Sequence, residues 1–392
     1  MNFEFQNRNM NFNFSTASQI IFGTGTVAKV PELVAGFGKR IFLVTGKNST
    51  HSNPLAESLS SLKFETPTFQ VEKEPTTTII DEGVKLARKY RCDVIIGIGG
   101  GSVIDTAKAI AALTPNAGEL LDYLEVIGKG KKLVVEPLPF IAIPTTSGTG
   151  AEVTKNAVIH SPGHKVKVSL RSQLMFANVA VIDPELALSM PPEVSATSGM
   201  DALTHLLETF VSRYSDPFID HFCREGMLRI SKSLVKACTN GTDLEAREDM
   251  SMASLLGGIA LANVKLGAVH GFAGPMGGMF PVPHGEVCAC LLPAVMEENL
   301  KSVSDANLEE KVAKYNEIAQ ILTGNPEAGA EDGIKWVKER ISDLGIPRLS
   351  DFGMAEADFQ ELIEKAQKAS SMKGNPVVLD DKSLLSILTK SA

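Results

Sequence analysis

Three of the seven histidines in this chain sit where an imidazole can do chemistry. His270 and His284 stand fourteen residues apart in Gly267-Ala-Val-His270-Gly-Phe-Ala-Gly-Pro-Met-Gly-Gly-Met-Phe-Pro-Val-Pro-His284-Gly285, a run of small and apolar residues without a charged side chain. An imidazole in such surroundings must hydrogen-bond or bind a metal, because a buried ring nitrogen left unpaired is costly. Upstream, Gly199-Met-Asp201-Ala-Leu-Thr-His205 sets a carboxylate and an imidazole four residues apart, side by side on one helix face. One carboxylate and three imidazoles suffice to hold a divalent transition metal. Taken singly, each pair reads equally as satisfied core histidines or a solvated helix face, and the weight comes from what precedes them.

Two loops further up the chain have the chemistry of anion binding. Asp93-Val-Ile-Ile-Gly-Ile98 is a buried strand, and Gly99-Gly100-Gly101-Ser102-Val-Ile-Asp105 follows it directly and opens a helix. Glycines let a backbone approach a bound group, and free N–H groups at a helix start attract phosphate. The triplet is not the GxGxxG dinucleotide fingerprint. Phe140-Ile-Ala-Ile-Pro144 then runs into Thr145-Thr146-Ser147-Gly148-Thr149-Gly150, a loop of hydroxyls that suits a polyanion or simply turns the chain. Lys165-Val-Lys167-Val-Ser-Leu puts a cation nearby on an alternating strand.

The elements that would position these residues divide the chain in two. Up to residue 190, apolar strands (Ile20–Phe22, Arg40–Thr45, Thr68–Val71, Asp93–Ile98, Phe140–Pro144, Val179–Ile182) alternate with helices, the mark of a parallel α/β sheet covered on both faces. From Pro191 the alternation disappears and seven helices are expected: Ser198–Ser212, Pro217–Lys236, Ala246–Val264, Gly285–Leu300, Leu308–Leu322, Gly333–Leu344 and Glu356–Ala369. The expected domains are therefore 1–190, an α/β unit, and 191–392, an all-helical unit. Residues 1–14, alternating Asn with Phe and Met, read as an edge strand or a loose arm.

Composition narrows the class. At 392 residues, each half is long enough to bury its own core. A net charge of −8 without a basic run argues against nucleic acid or an anionic membrane as the main partner. No run reaches eighteen apolar residues and the N-terminus lacks an apolar signal region. Five scattered cysteines (Cys92, Cys223, Cys238, Cys288, Cys290) read as reduced thiols of a cytoplasmic protein.

Together these motifs resemble the iron-containing (group III) alcohol dehydrogenases: Gly99-Gly-Gly-Ser-Val-Ile-Asp105, Pro144-Thr-Thr-Ser-Gly-Thr-Gly-Ala-Glu-Val-Thr154, Gly199–His205 and the two-histidine run occur in that family's order, over roughly residues 15–390. The resemblance implies the dehydroquinate synthase-like fold, with 1–190 a Rossmann-like dinucleotide-binding domain and 191–392 a helical metal-binding domain, and a reaction in the cleft between them. It implies Asp201, His205, His270 and His284 as ligands of Fe(II) or Zn(II). It further implies pyrophosphate on Gly99, Gly100, Gly101 and Ser102, Asp105 as a cofactor-binding residue of the same motif, cofactor along Thr145, Thr146 and Thr149, and a cofactor contact from Lys167. A small alcohol or aldehyde substrate and a dimer or larger homo-oligomer follow family habit.

Two positions depart from the family pattern. Where members often carry a further histidine four residues after His270, this chain has Gly274. Where NAD-preferring relatives place an acidic residue after the strand 40–45, this chain has Gly46 followed by Lys47. Without that carboxylate a 2′-phosphate meets no repulsion, and Lys47 attracts it. The expectation is therefore NADP(H) in preference to NAD(H). Two alternatives stand beside the dehydrogenase: a lyase of the dehydroquinate synthase type, and a reductase of an acid-bearing carbonyl substrate.

Overall fold

The computed structural model describes residues 12–164 and 166–392. Most of the N-terminal segment (residues 1–11) and Lys165 lie outside the described residues. Residues 12–17 form no strand, and the Phe12 and Phe14 rings pack on Phe218 and Phe222.

The first half is built on eight strands: β1 (Gln19–Phe22), β2 (Ile41–Gly46), β3 (Thr68–Val71), β4 (Val94–Gly99), β5 (Phe140–Pro144), β6 (Asn156–Ser161), β7 (Val166–Arg171) and β8 (Val179–Ile182). Six of them form one parallel sheet in the order β1-β8-β5-β4-β2-β3. Its helices are α1 (Val30–Ala35), α2 (Ser52–Ser61), α3 (Thr77–Lys89), α4 (Gly101–Leu113) and the short α5 (Leu120–Tyr123). The continuous apolar strands are explained by burial on both faces. Ile41 and Leu43 pack with Val30, Leu55 and Leu59 on one side, while Phe42 and Val44 pack with Ile104 and Ile110 on the other. Strands β6 and β7 form a separate antiparallel hairpin, with Ala157 and Ile159 turned inward with Val168 and Leu170. Of this hairpin only β7 is expected from the sequence, because the polar ends of β6 mask its alternation.

The second half is helical: α6 (Pro192–Val211), α7 (Pro217–Thr239), α8 (Leu244–Asn263), α9 (Ala268–Met279), α10 (His284–Asp305), α11 (Glu309–Thr323), α12 (Ala330–Asp343), α13 (Phe359–Lys368) and α14 (Asp381–Ser391). Helix α6 is the axis, packed against α7, α8 and α10. Two helices go beyond the expectation, α14 and, more tellingly, α9, whose four glycines and Pro275 speak against a helix. Tertiary packing overrides that propensity. A Cβ at Gly271 would stand 2.8 Å from the Met372 methyl, and one at Gly277 would stand 2.7 Å from Lys167 Nζ, so α9 reaches its neighbours only with small residues. The two halves meet in the same way: Gly150, at φ +58°, lies against Gly258 of α8, where a Cβ would come within 2.4 Å of the Gly258 Cα.

Among the described residues, no single helix is long and apolar enough to cross a membrane.

Candidate metal centre and nucleotide cradle

Three loops leave the carboxyl ends of adjacent parallel strands, where open α/β sheets take ligands. Gly46 ends β2, Gly99 ends β4 and Pro144 ends β5, with Gly99 directly opposite Pro144. The Thr145 N–H donates to the Gly99 carbonyl at 2.9 Å, which ties the hydroxyl loop to the glycine turn. Built Cβ atoms would bring Gly100 to 3.3 Å from the Thr146 methyl and Gly101 to 2.8 Å from that of Thr149, so only glycines leave room for those threonines. Helix α4 begins on Gly100 without a side-chain cap, which leaves first-turn N–H groups free for an anion. Ser102, Thr145, Thr146 and Thr149 are all half-buried along this cradle, and Lys47 is exposed beside Gly46.

Two residues expected in the cradle have other partners. Asp105 Oδ2 accepts from the Val158 N–H of β6 at 2.9 Å and lies on the flank of α4 beside Lys108. Lys167 pairs with Glu74 at 2.7 Å against α9, close enough to His284 to depress its basicity.

The carboxylate and the imidazoles do converge. Asp201 and His205 project from one face of α6, His270 from the first turn of α9, and His284 from the first residue of α10. Asp201 Oδ1 lies 3.4 Å from His270 Nε2, 3.7 Å from His284 Nε2 and 3.8 Å from His205 Nε2. The His205 and His270 rings stack at 4.6 Å between centroids. Asp201, His205 and His270 are buried, whereas the His284 side chain keeps 39% of its surface open. Buried inside this cluster, Asp201 Oδ1 and His205 Nδ1 have no hydrogen-bond partner. Orphaned buried acceptors call for an explanation, and a divalent cation answers for the carboxylate oxygen while balancing its charge.

The charges in the cluster are strongly coupled. Burial alone would raise the Asp201 carboxyl, but His205, His284 and His270 hold it well below the usual carboxylate range. Burial pushes His205 down to about 3 and lowers His284, against the pull of Asp201. His270 resists the same burial because Cys288, Asp201 and Glu208 raise it well above the ordinary imidazole value. The lowered His205 and His284 offer ring lone pairs to a cation near neutral pH, and His270 must give up a proton to join them.

Sequence reasoning missed Glu208 and Cys288. Glu208 continues the Asp201–His205 face of α6 by one turn and is buried in an apolar segment, which was the available signal. Its Oε2 accepts from His270 Nδ1 at 2.7 Å and its Oε1 from the Val269 N–H at 2.7 Å. Asn375 Oδ1 accepts from the Ala268 N–H, so Glu208 and Asn375 together cap α9. The Glu208 contact also fixes a proton on His270 Nδ1 and aims Nε2 at the cluster, where its lone pair would meet a cation. Cys288 stands one turn beyond His284 on α10.

Phe272 and Met276 are core, whereas Met279 and Phe280 are half-buried. Gly274 faces open space: a Cβ there meets nothing within 4 Å.

A nucleotide-type sheet edge joined through α6 to a carboxylate–imidazole cluster is the layout of a metal-dependent dehydrogenase. Residues 17–184 match the family model for iron-containing alcohol dehydrogenase, and residues 195–392 match its C-terminal domain. The chain is 34% identical to choline dehydrogenase of Bacillus subtilis (strain 168) over 376 residues, covering 94% of this chain and 92% of that protein. It is 33% identical to 1,3-propanediol dehydrogenase of Citrobacter freundii over 394 residues, covering 97% and 98%. The crystal structure of a 1,3-propanediol oxidoreductase superposes with a TM-score of 0.91 at 31% identity, covering 98% of this chain and all of that one. The chain belongs to the iron-containing alcohol dehydrogenase family, with a Rossmann-like domain followed by a helical one, and it is an oxidoreductase acting on alcohols. Membership implies a metal and a nicotinamide dinucleotide.

Proposed function

We propose that this chain interconverts a small primary or secondary alcohol with its aldehyde or ketone, using NADP(H) in preference to NAD(H) and a divalent metal held by Asp201, His205, His270 and His284. The observation that carries the reading is the unpartnered, buried Asp201 Oδ1 ringed by three imidazoles. A divalent metal there supplies Lewis acidity toward an alcohol or carbonyl oxygen. The chain's own residues do the rest. Glu208 orients His270 and holds its proton at Nδ1, and the half-open His284 marks the side from which substrate enters. The uncapped start of α4 with Ser102, and the hydroxyls of Thr145, Thr146 and Thr149, bind the pyrophosphate and the adjoining cofactor. Burial of the cluster excludes water from the reacting face.

Gly274 leaves the space one turn beyond His270 to the substrate, so no side chain at that position delivers a proton. Both choline and 1,3-propanediol, named in the relatives, are primary alcohols, which supports a primary alcohol here. The NADP(H) preference rests on Gly46 and the exposed Lys47. The division into domains near residue 190 is supported by the absence of sheet strands beyond β8 among the described residues and by the bounds of the two family matches. Reduced, buried thiols support a cytoplasmic setting, and family habit a homo-oligomer.

The test is a nicotinamide absorbance assay with short alcohols and aldehydes, each with NADP(H) and NAD(H), on chelated protein and after adding Fe(II) or Zn(II). Metal-restored turnover with a better kcat/KM for NADP(H) is the expected result. Turnover that survives chelation, or a preference for NAD(H), defeats the corresponding part of the reading.

A further inference from the structure

The cluster contains a donor that the Asp/His₃ set does not include. Cys288 is fully buried on α10, four residues after His284 and on the same helix face. Its Sγ lies 3.6 Å from His284 Nε2 and 3.7 Å from His270 Nε2. The donor atoms of Asp201, His270, His284 and Cys288 all fall within 4.8 Å of one another. His205 is not in that group of four, although its Nε2 approaches Asp201 Oδ1. At metal–ligand bond lengths of roughly 2.0–2.3 Å, neighbouring donors in one coordination shell stand roughly 3–4 Å apart, the range of the Cys288 Sγ and Asp201 Oδ1 spacings to the imidazoles. Independently of the thiol, Asp201 Oδ1 is buried and unpartnered among the same atoms, so the group has a carboxylate that requires a cation. The neighbouring thiol, Cys290, is turned to the Pro347 carbonyl at 2.9 Å and plays no part.

We propose that Cys288 is a thiolate ligand of the metal at this site. The inference rests on the proposed metal centre and deepens it. On binding, a sulfur lone pair forms the metal–sulfur bond and the thiol proton passes to solvent, with no change of oxidation state. A soft sulfur donor added to the N/O set moves the preference of the site from Fe(II) toward Zn(II).

The experiment is cobalt substitution of the full chain. Protein stripped with chelator and reloaded with Co(II) is expected to show visible d–d bands together with a near-ultraviolet thiolate-to-cobalt charge-transfer band. Cys288→Ser should lose the charge-transfer band and keep the d–d bands, with Zn(II) affinity lower by about tenfold or more. Cys290→Ser should keep both. Wild-type protein with d–d bands and no charge-transfer band overturns the role of Cys288 while sustaining the metal centre. Retention of the band in Cys288→Ser overturns it equally. Absence of any protein-bound cobalt spectrum removes the metal centre and this proposal with it. Should Cys288→Ser fail to fold, the wild-type and Cys290→Ser spectra decide the matter.

Discussion

Two buried charged clusters, one in each half of the molecule, have opposite bookkeeping of hydrogen bonds. In the α/β half, Lys108 is 1% exposed, and its ammonium donates to the Ala151 carbonyl at 2.7 Å, to Thr154 Oγ1 at 2.8 Å and to the Asn156 carbonyl at 2.8 Å. Asp105 beside it takes the Val158 N–H. All three ammonium protons are used, and the cluster staples α4 to the hydroxyl loop and to β6. In the helical half, Asp201 is as deeply buried, yet one carboxylate oxygen and one nitrogen of His205 have no partner. A satisfied buried charge explains itself by the fold, whereas an unsatisfied one points to something the chain binds.

That contrast breaks first at Asp201. Asp201→Asn is expected to abolish metal retention and lower kcat/KM at least roughly a thousandfold, as loss of a Lewis acid worth several kcal/mol demands. Chelated wild type and variant should melt alike, and a large loss of stability in the chelated variant would instead make Asp201 structural. The reverse is expected for Lys108→Met, which strands a buried carboxylate and three acceptors. Urea unfolding should show a loss of about 3–5 kcal/mol, with metal content unchanged in the folded fraction.

Glu208→Gln tests the orienting contact. It should weaken metal binding about 10–100-fold in a competition titration and leave the overall fold in place. Gly46→Asp sharpens the cradle side. A Cβ at Gly46 meets only the Val103 methyl at 3.6 Å, an ordinary contact, so the variant should fold. The kcat/KM ratio of NADP(H) to NAD(H) should fall about tenfold or more, and an unchanged ratio would mean that Gly46 only turns the chain.

The smallest effect concerns pH. Burial pushes the Glu152 carboxyl up from 4.5 to about 7, against the pull of Lys108. Between those values the folded chain holds more protons than the unfolded chain. The Glu152 contribution to stability is therefore full below about pH 4.5 and lost as pH rises through about 7. Glu152→Gln should flatten the decline in unfolding free energy over that window, measured by denaturant titration at fixed ionic strength.

Much of this was legible beforehand because the signals are local. A buried parallel strand announces itself as an unbroken apolar run, so β2, β4 and β5 were expected nearly to the residue, as was the glycine turn opening α4. Asp201 and His205 were legible as a pair because four residues make one helical turn. What escaped is what distance in sequence hides. Helix α9 is rich in glycine and contains proline, and it is helical because its neighbours approach too closely for larger side chains. Glu208 reads as an ordinary helix carboxylate until α9 is laid across it, sixty-two residues later. Cys288 reads as a core thiol, as its burial suggests, until α9 and α10 bring two imidazoles to its sulfur.

Periodicity and loop chemistry act over a few residues, so the α/β half, the helical half, the glycine turn opening α4 and the Asp201–His205 pair were all legible in the sequence. The tertiary structure alone decided which buried charges find partners. It gave Lys108 three acceptors, tied Asp105 to β6 and left Asp201 Oδ1 without a partner, because hydrogen-bond satisfaction depends on what the rest of the fold places within about 3 Å.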